Sequence, residues 1–133
     1  MNEKNCLFCD VQTIDRKRII AENSLAYAIR DGFPVTAGHT LFMPKRHIPD
    51  YFGLVPGEVS AINQLMTKQK KSLSDSDATI GGFNIGMNCG EVAGQTVFHC
   101  HVHLIPRRAG DAENPRGGVR HIIADKGFYE DKK

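Results

Sequence analysis

The chain has 133 residues, 41% hydrophobic and 24% charged, which suits one compact domain whose core needs no disulfides. Its formal net charge of +2 gives no reason to expect nucleic acid or a membrane surface as a partner. No apolar run approaches the roughly 18 residues of a membrane span, and residues 1–6 contain no apolar signal core. We therefore expect a cytoplasmic protein that binds neither nucleic acid nor membranes.

Short apolar runs and one longer periodic segment follow each other along the chain. Strands are predicted at residues 19–20, at residues 25–29 and at residues 39–43, where Pro44 stops the third. Pro56 suits the first turn of a helix, and apolar spacings of three and four predict one face of it, made of Val59, Ile62, Met66, Gln69 and Leu73.

The second half of the chain is predicted to contain the sheet's strongest strand. Residues 72–79 are interpreted as a polar connection, residues 82–87 as a strand and residues 88–94 as a loop. Threonine, valine, phenylalanine and isoleucine favour a strand over residues 96–105, which Pro106 ends. This order predicts an α+β fold, with an antiparallel β-sheet packed against one long helix and short helices.

Three histidines at period two are the most informative feature of that last strand. On a strand, His99, His101 and His103 share one face, while Cys100, Val102 and Leu104 share the other. Structural histidines and a catalytic three-histidine zinc site are both open interpretations. A row of neutral imidazoles also suits stepwise transfer on a phosphate, because one ring can attack phosphorus while its neighbour donates a hydrogen bond.

Two cysteines form a Cys-x-x-Cys motif at Cys6 and Cys9. In a cytosolic chain this motif is compatible with a zinc site, a redox pair or two buried thiols. One pair supplies only half of a tetrahedral zinc site, so two further ligands would be needed. Cys89 and Cys100 show no partner pattern, and Cys100 suits a small core position.

The segment AGQTVFHCHVHLIPR at residues 93–107 closely resembles the signature of the histidine-triad (HIT) superfamily. The segment DGFPVTAGHTLFMPKRH at residues 31–47 resembles a second family segment upstream. The resemblance covers residues 6–108, and it is greatest to the fragile-histidine-triad branch of dinucleoside polyphosphate hydrolases. It implies a single HIT domain over residues 1–133, with a C-terminal extension at residues 109–133.

The resemblance implies a covalent mechanism. His101 would be the nucleophile that forms a nucleotidyl-histidine intermediate, with its second ring nitrogen bonded to a backbone carbonyl, expected at His99. His103 and Gln95 would assist the leaving group, and His39 would lie beside the phosphate. The remaining implied contacts to the nucleotide are Asp31 at the ribose, Asn88, Gly94 and Thr96 near the phosphate, and Leu7, Phe8, Val11 and Ile29 at the base.

The resemblance also implies a cofactor and partners. Related proteins carry zinc on such a cysteine pair and two histidines, which match Cys6, Cys9, His47 and His99 here. We expect one structural zinc per chain, because four protein ligands leave no open position. A homodimer and a nucleotide substrate that contains adenosine are expected as well.

One residue departs from the branch that the chain most resembles. That branch has glutamine where Asn88 stands, whereas the branch that cleaves nucleoside phosphoramidates has asparagine. A phosphoramidase or a nucleotidyltransferase therefore remains an alternative, and a nucleotide-binding interaction module is the non-enzymatic one. The basic, glycine-rich stretch at residues 114–121 would close over a phosphate tail, lie at a dimer contact or be solvated, and Arg107 or Arg108 would face polyphosphate.

Overall fold

A computed structural model describes residues 5–129, so the outermost residues of the predicted domain, 1–4 and 130–133, lie outside the described part. One five-stranded antiparallel sheet is packed against one long helix, which confirms the predicted α+β class. The strands are β1 (Ile19–Glu22), β2 (Ala26–Arg30), β3 (Thr40–Pro44), β4 (Ile80–Gly86) and β5 (Val102–Arg108). The helices are α1 (Leu7–Val11) and α2 (Pro56–Ser76), with short 3-10 turns between elements.

The strand order β1-β2-β3-β5-β4 places β5 between β3 and β4. One core lies between the sheet and α2, and it buries Phe42, Ile62, Leu65 and Leu104. A second core lies on the other side of β2 and β3, where α1 packs on Tyr27 and Ile29. The second face is therefore covered at β2 and β3, and α1 is held next to the start of β5.

The strand predicted over residues 96–105 is wrong in both bounds. It begins only at Val102, because earlier backbone groups bond to loops: the Cys100 N–H donates to the Ile48 carbonyl oxygen at 2.8 Å. It continues through Pro106 to Arg108, since the Pro106 carbonyl oxygen accepts from the Thr36 hydroxyl at 2.6 Å. In a strand, the nitrogen and the carbonyl of one residue point to the same side. Because the Pro106 carbonyl bonds to Thr36, the Pro106 nitrogen also faces away from β4, at a position beyond the end of β3. The missing N–H therefore costs no hydrogen bond between strands.

The long helix begins at Pro56 as predicted but extends to Ser76, into the segment predicted as a connection. Leu73 packs in the core and Lys71 pairs with Asp75 one turn later, so polar residues continue the helix there. Strand β4 likewise begins at Ile80, two residues before its predicted start. Within residues 5–129, no helix combines the length and apolar character that a membrane span requires.

Candidate active site and metal centre

Four predicted metal ligands converge at the start of α1. The ligand atoms of Cys6, Cys9, His47 and His99 all lie within 4.8 Å of one another. The Sγ–Nδ1 distances are 3.5 Å for Cys6 and His99, 3.3 Å for Cys9 and His47, and 3.6 Å for Cys9 and His99. Cys6 is the N-cap of α1, so the short helix brings both thiols to the same point.

This geometry fits a tetrahedral zinc ion. Zn–S bonds of about 2.3 Å and Zn–N bonds of about 2.0–2.1 Å at tetrahedral angles give S···N separations of about 3.5 Å. The Nε2–H of His99 donates to the Pro44 carbonyl oxygen at 2.8 Å, which leaves Nδ1 with a free lone pair towards the thiols. Burial lowers the pKa of His99 to about 4, so the ring is neutral and able to ligate.

The proposed nucleophile, His101, has its tautomer fixed by backbone. Its Nδ1 lies 2.8 Å from the His99 carbonyl oxygen, as expected, and because that oxygen can only accept, Nδ1 must carry the hydrogen. The lone pair is therefore on Nε2. The ring packs edge-on against Phe8 at 5.0 Å and against His103 at 5.3 Å between ring centroids. Burial lowers its pKa, so neutral imidazole is favoured.

His39 and His103 form a hydrogen-bonded pair with a defined direction. The Val35 N–H donates to His39 Nδ1 at 3.0 Å, so the hydrogen of neutral His39 lies on Nε2. That Nε2–H reaches His103 Nδ1 at 2.9 Å, which places the His103 hydrogen on Nε2, where it has no bond to any residue within 5–129. Burial lowers the pKa of both rings, to about 4 for His103.

The histidines thus divide between two places rather than forming one uniform row. His99 is fully buried among the cysteines, whereas His101 and His103 are half-buried next to each other. The prediction for the opposite face holds, because Cys100, Val102 and Leu104 are all buried. His99 differs because it precedes β5 and its ring contacts Cys6 and Cys9 at the start of α1.

Asp31 lies beside the histidine pair. Its backbone N–H donates to the His39 carbonyl oxygen at 2.9 Å, which continues the β2–β3 pairing beyond Arg30 and Thr40. Its Oδ2 is 3.5 Å from His39 Nε2, and its Oδ1 accepts from the Phe33 N–H at 2.7 Å. The carboxylate therefore has one oxygen bound in a turn and one directed to the site.

The loop before the triad holds the predicted phosphate contacts. Asn88 and Thr96 are exposed, and Gly94 has a φ of 99°, a conformation that glycine adopts readily. A Cβ at Gly94 would lie 3.8 Å from the Asn88 amide nitrogen, so the two residues are neighbours. Asn88 also lines a cavity with His39 and His103.

Gln95 has a full set of backbone partners. Its Nε2 donates to the carbonyl oxygens of Pro49 at 2.6 Å and Val97 at 3.1 Å. Its Oε1 accepts from the Gly90 N–H at 2.8 Å, and the side chain is buried. These bonds give Gln95 a place in holding the loop, which its sequence context did not indicate.

The predicted base pocket differs in exposure along its length. Val11 and Ile29 are fully buried in the second core, Phe8 is 4% exposed, and Leu7 is 50% exposed. Phe8 is also in ring contact with His101. Of these four side chains, Leu7 is therefore the one with much of its surface open to a ligand.

Arg107 and Arg108 are both engaged in ion pairs. Arg107 donates to both Asp111 oxygens at 2.8 Å and to Asn84 Oδ1 at 2.7 Å, and the pairing lowers the pKa of Asp111. Arg108 pairs with Asp77 at 3.0 Å. Arg107 nevertheless lines the cavity of about 860 Å³ that His39 and His103 also line.

Sequence reasoning missed two contacts that shape the site. They are the Pro44 carbonyl that orients His99 and the Val35 N–H that orients His39. Both are backbone groups and leave no signal in residue types. The glycine-rich stretch at residues 114–121, which was expected to close over a phosphate tail, lie at a dimer contact or be solvated, contributes Gly118 and Val119 to the wall of the cavity.

Comparison with known proteins agrees with this fold and site. Residues 12–110 match the HIT domain, and the chain belongs to the HIT family. It is 40% identical over 114 residues to an uncharacterised HIT-like protein of Mycoplasma genitalium, covering 79% of this chain and 77% of that one. It is 31% identical over 113 residues to the adenylylsulfatase HINT3 of Arabidopsis thaliana, covering 82% and 55% of the two chains.

A solved structure bears on the metal centre. The zinc-bound histidine triad family protein of Mycobacterium smegmatis is 35% identical, with a TM-score of 0.74, covering 83% of this chain and 80% of that one. The cluster of Cys6, Cys9, His47 and His99 is compatible with zinc in this chain as well.

Proposed function

We propose that the chain is a nucleotidyl hydrolase that acts at the α-phosphate of a nucleotide through a covalent intermediate on His101. One observation carries this proposal: the His99 carbonyl holds the hydrogen of His101 on Nδ1 and leaves the Nε2 lone pair free. A neutral imidazole with an oriented lone pair is a competent nucleophile towards phosphorus. HIT membership supports the same chemistry.

The proposed mechanism has two steps. A bond forms between His101 Nε2 and the α-phosphorus while the bond to the leaving group breaks and its electron pair leaves with that group. The Nε2–H of His103, held by His39, donates a hydrogen bond to the phosphate or to the leaving atom. Water then hydrolyses the P–N bond, which releases the nucleoside monophosphate and restores His101. Asp31 binds the ribose hydroxyls.

The zinc site belongs to this proposal as a structural element. Cys6, Cys9, His47 and His99 would hold one Zn²⁺, whose role is to tie α1 to the segment before β5 rather than to activate a ligand. His99 is both a ligand and the source of the carbonyl that orients His101. The metal would thereby support both the base pocket at Leu7 and Phe8 and the nucleophile.

The proposed substrates are dinucleoside polyphosphates that contain adenosine. The enzyme is proposed to be a cytoplasmic homodimer. A second substrate class, adenylyl compounds with one small leaving group such as phosphoramidates, is favoured by Asn88 and by the likeness to an adenylylsulfatase. Both classes pass through the same adenylylated His101. They differ in what the site must accommodate beyond the α-phosphate.

Rapid quenching with substrate labelled at the α-phosphate tests the mechanism. We expect label on the peptide that contains His101, and one oxygen from ¹⁸O-water in the released monophosphate. His101→Ala should carry no label, whereas His121→Ala, at a histidine outside the site, should label normally. Tight nucleotide binding without any labelled histidine would identify a binding module instead, and label that reaches phosphate or a sugar phosphate in preference to water would identify a transferase.

A further inference from the structure

Residues 44–49, which we call the connecting segment, run from the end of β3 towards α2 and carry the candidate metal ligand His47. Four carbonyl oxygens of this segment accept hydrogen bonds of 2.6–2.9 Å from groups in or near the site: Pro44 from the His99 ring, Lys45 from Gln12, Ile48 from the Cys100 N–H and Pro49 from Gln95. These donors lie at the end of α1, before β5 and in the loop that precedes the triad. The placement of the connecting segment therefore affects several parts of the site together.

The candidate ligand His47 has less support for its orientation than His99. A histidine that binds a metal usually donates a hydrogen bond from its second ring nitrogen, which fixes the ring. His99 does so through Nε2, which donates to the Pro44 carbonyl oxygen. His47 Nδ1 lies 3.3 Å from Cys9 Sγ, but its Nε2 forms no hydrogen bond to any residue within 5–129. The orientation of His47 towards the thiols therefore depends on how its backbone is held.

The residue before His47 is joined to α2 by an ion pair. Arg46 donates from Nε to Glu58 Oε2 at 2.9 Å and from Nη2 to Glu58 Oε1 at 2.8 Å. Its Nη2 also donates to the Gly53 carbonyl oxygen at 2.8 Å. Two parallel bonds to one carboxylate fix the orientation of a guanidinium as well as its position. Arg46 thus holds the connecting segment in one place relative to α2.

Glu58 is a charged side chain that is only 3% exposed. It lies in the first turn of α2, where its Oε1 also accepts from the Val55 N–H at 3.0 Å. A buried carboxylate is costly unless it is paired and hydrogen-bonded, so Glu58 constrains Arg46 strongly. The pair of Lys71 and Asp75 differs, because both of its side chains are mostly exposed and such a pair stabilises little.

We propose that Arg46 and Glu58 are positioning residues for the metal centre, which fix the connecting segment so that His47 faces the two thiols. The fixed reference is α2, whose buried face packs in the core against the sheet. Neither residue is among the four candidate ligands, so each acts on the metal through the backbone of His47. This inference rests on the zinc site of the proposed function but not on its covalent step.

Zinc affinity of the full-length protein tests the proposal. It is measured by competition with a chromophoric chelator, at a temperature where circular dichroism shows that each variant is folded. Arg46→Ala should bind zinc about 10–100-fold more weakly than the wild type, as is typical when a group that orients a ligand is lost. Arg46→Lys keeps a cation opposite Glu58 but cannot form the two parallel bonds. It should fold and should still bind zinc several-fold more weakly.

Two further measurements separate a positioning role from a general one. The visible absorption of Co²⁺ bound in place of zinc depends on the coordination geometry, so it should change in both Arg46 variants. Glu58→Gln should weaken zinc binding as well, because its amide cannot accept both bonds from Arg46. If the pair acts as one unit, combining Glu58→Gln with Arg46→Ala should weaken zinc binding little beyond Arg46→Ala alone.

Arg108→Ala is the matched control, because Arg108 also bonds to one carboxylate and one carbonyl oxygen, at the other end of α2. Its partners are Asp77 at 3.0 Å and the Ala37 carbonyl oxygen at 2.9 Å. This variant should keep the wild-type zinc affinity and Co²⁺ spectrum. Leu65→Ala lowers stability by creating a cavity on the buried face of the same helix, and it should keep the zinc affinity too.

Wild-type zinc affinity in Arg46→Ala would overturn the proposal, as would wild-type affinity in Arg46→Lys if Arg46→Ala does not fold. Equal weakening in Leu65→Ala would also overturn it, because the ion pair would then contribute only to overall stability. So would additive effects of the two single variants, or wild-type protein that binds no zinc. Labelling of His101 is scored separately. Absence of label from wild-type protein, together with the expected zinc affinities, would overturn the proposed function and leave Arg46 as a positioning residue.

Discussion

The Nδ1 atom of His101 lies 2.8 Å from the carbonyl oxygen of His99, so the backbone of one histidine sets the tautomer of the other. The His99 ring itself points towards Cys6 and Cys9. The proposed nucleophile and the candidate metal centre are therefore joined through two residues of one chain segment. A substitution at the metal centre should therefore alter the orientation of His101.

Replacing the proposed nucleophile should separate turnover from folding. We expect His101→Ala to lose turnover by about 1,000-fold or more, because no other ring offers an oriented lone pair at this point. The fold should persist, since the ring is half-buried and its one hydrogen bond is to backbone. Steady-state hydrolysis and thermal unfolding are measured on the same preparation, with His121→Ala as the control. Near-normal hydrolysis by folded His101→Ala protein would show that the assignment is wrong.

Removing a metal ligand should lower both the zinc content and the thermal stability of the protein. Cys9→Ala should abolish stoichiometric zinc and lower Tm by about 5 °C or more, since each kcal/mol corresponds to roughly 3–6 °C in a domain of this size. Cys89→Ala, at a cysteine outside the cluster, should keep both the metal and the Tm. Metal analysis after purification without added zinc is the direct measurement. Wild-type protein that lacks stoichiometric zinc yet retains full activity would contradict the structural role.

Much of the fold could be predicted from residue types, because local pattern and tertiary packing agree there. Pro56 begins the long helix, and Ile62 and Leu73 of its predicted face are buried. The start of β5 could not be predicted, because residues 96–100 have side chains that favour a strand, whereas their backbone groups form hydrogen bonds to loop residues. A similar conflict arises at Pro106, where the end of β3 removes the need for an N–H.

The site divides in the same way. The spacing of histidines indicated phosphate chemistry, and the resemblance added the zinc role of the cysteine pair, its two histidine ligands and the His99 carbonyl. The bond between His39 and His103 joins residues 64 apart in sequence, and it depends on the pairing of Leu41 with His103 across β3 and β5. A contact set by strand order is invisible to motif spacing.

Gln95 should act as a positioning residue. Gln95→Ala leaves three backbone groups, at Gly90, Pro49 and Val97, without their partner, and we expect a loss of about 2 kcal/mol or more in the free energy of unfolding. Gln95→Glu should lose much of the same stability, because a carboxylate cannot donate to the two carbonyl oxygens. Gln64→Ala, at an exposed glutamine of α2, is the control. Reduced turnover with unchanged denaturant midpoints in both Gln95 variants would instead favour direct contact with substrate.

The neutral state of His103 should appear in the pH dependence of stability. Its pKa is about 4 in the folded protein, mainly because of burial, against an ordinary value of 6.5. As pH falls below about 6.5, the unfolded chain takes up a proton that the folded protein refuses until about pH 4, so stability decreases across that window. His103→Gln removes this group while keeping an acceptor for His39. The free energy of unfolding of this variant should therefore fall less steeply between pH 6.5 and 4. The difference in slope against pH should correspond to at most one bound proton.

Denaturant unfolding of both proteins across that pH range measures the difference directly. Groups common to both, including the cysteines and His99, contribute equally and cancel in the comparison. His121→Gln replaces an exposed histidine and should follow the wild-type curve. Parallel curves for wild type and His103→Gln would mean that His103 is already protonated at pH 6. His103 would then be a cation in the folded protein, and the direction of its hydrogen bond with His39 would have to be reassigned.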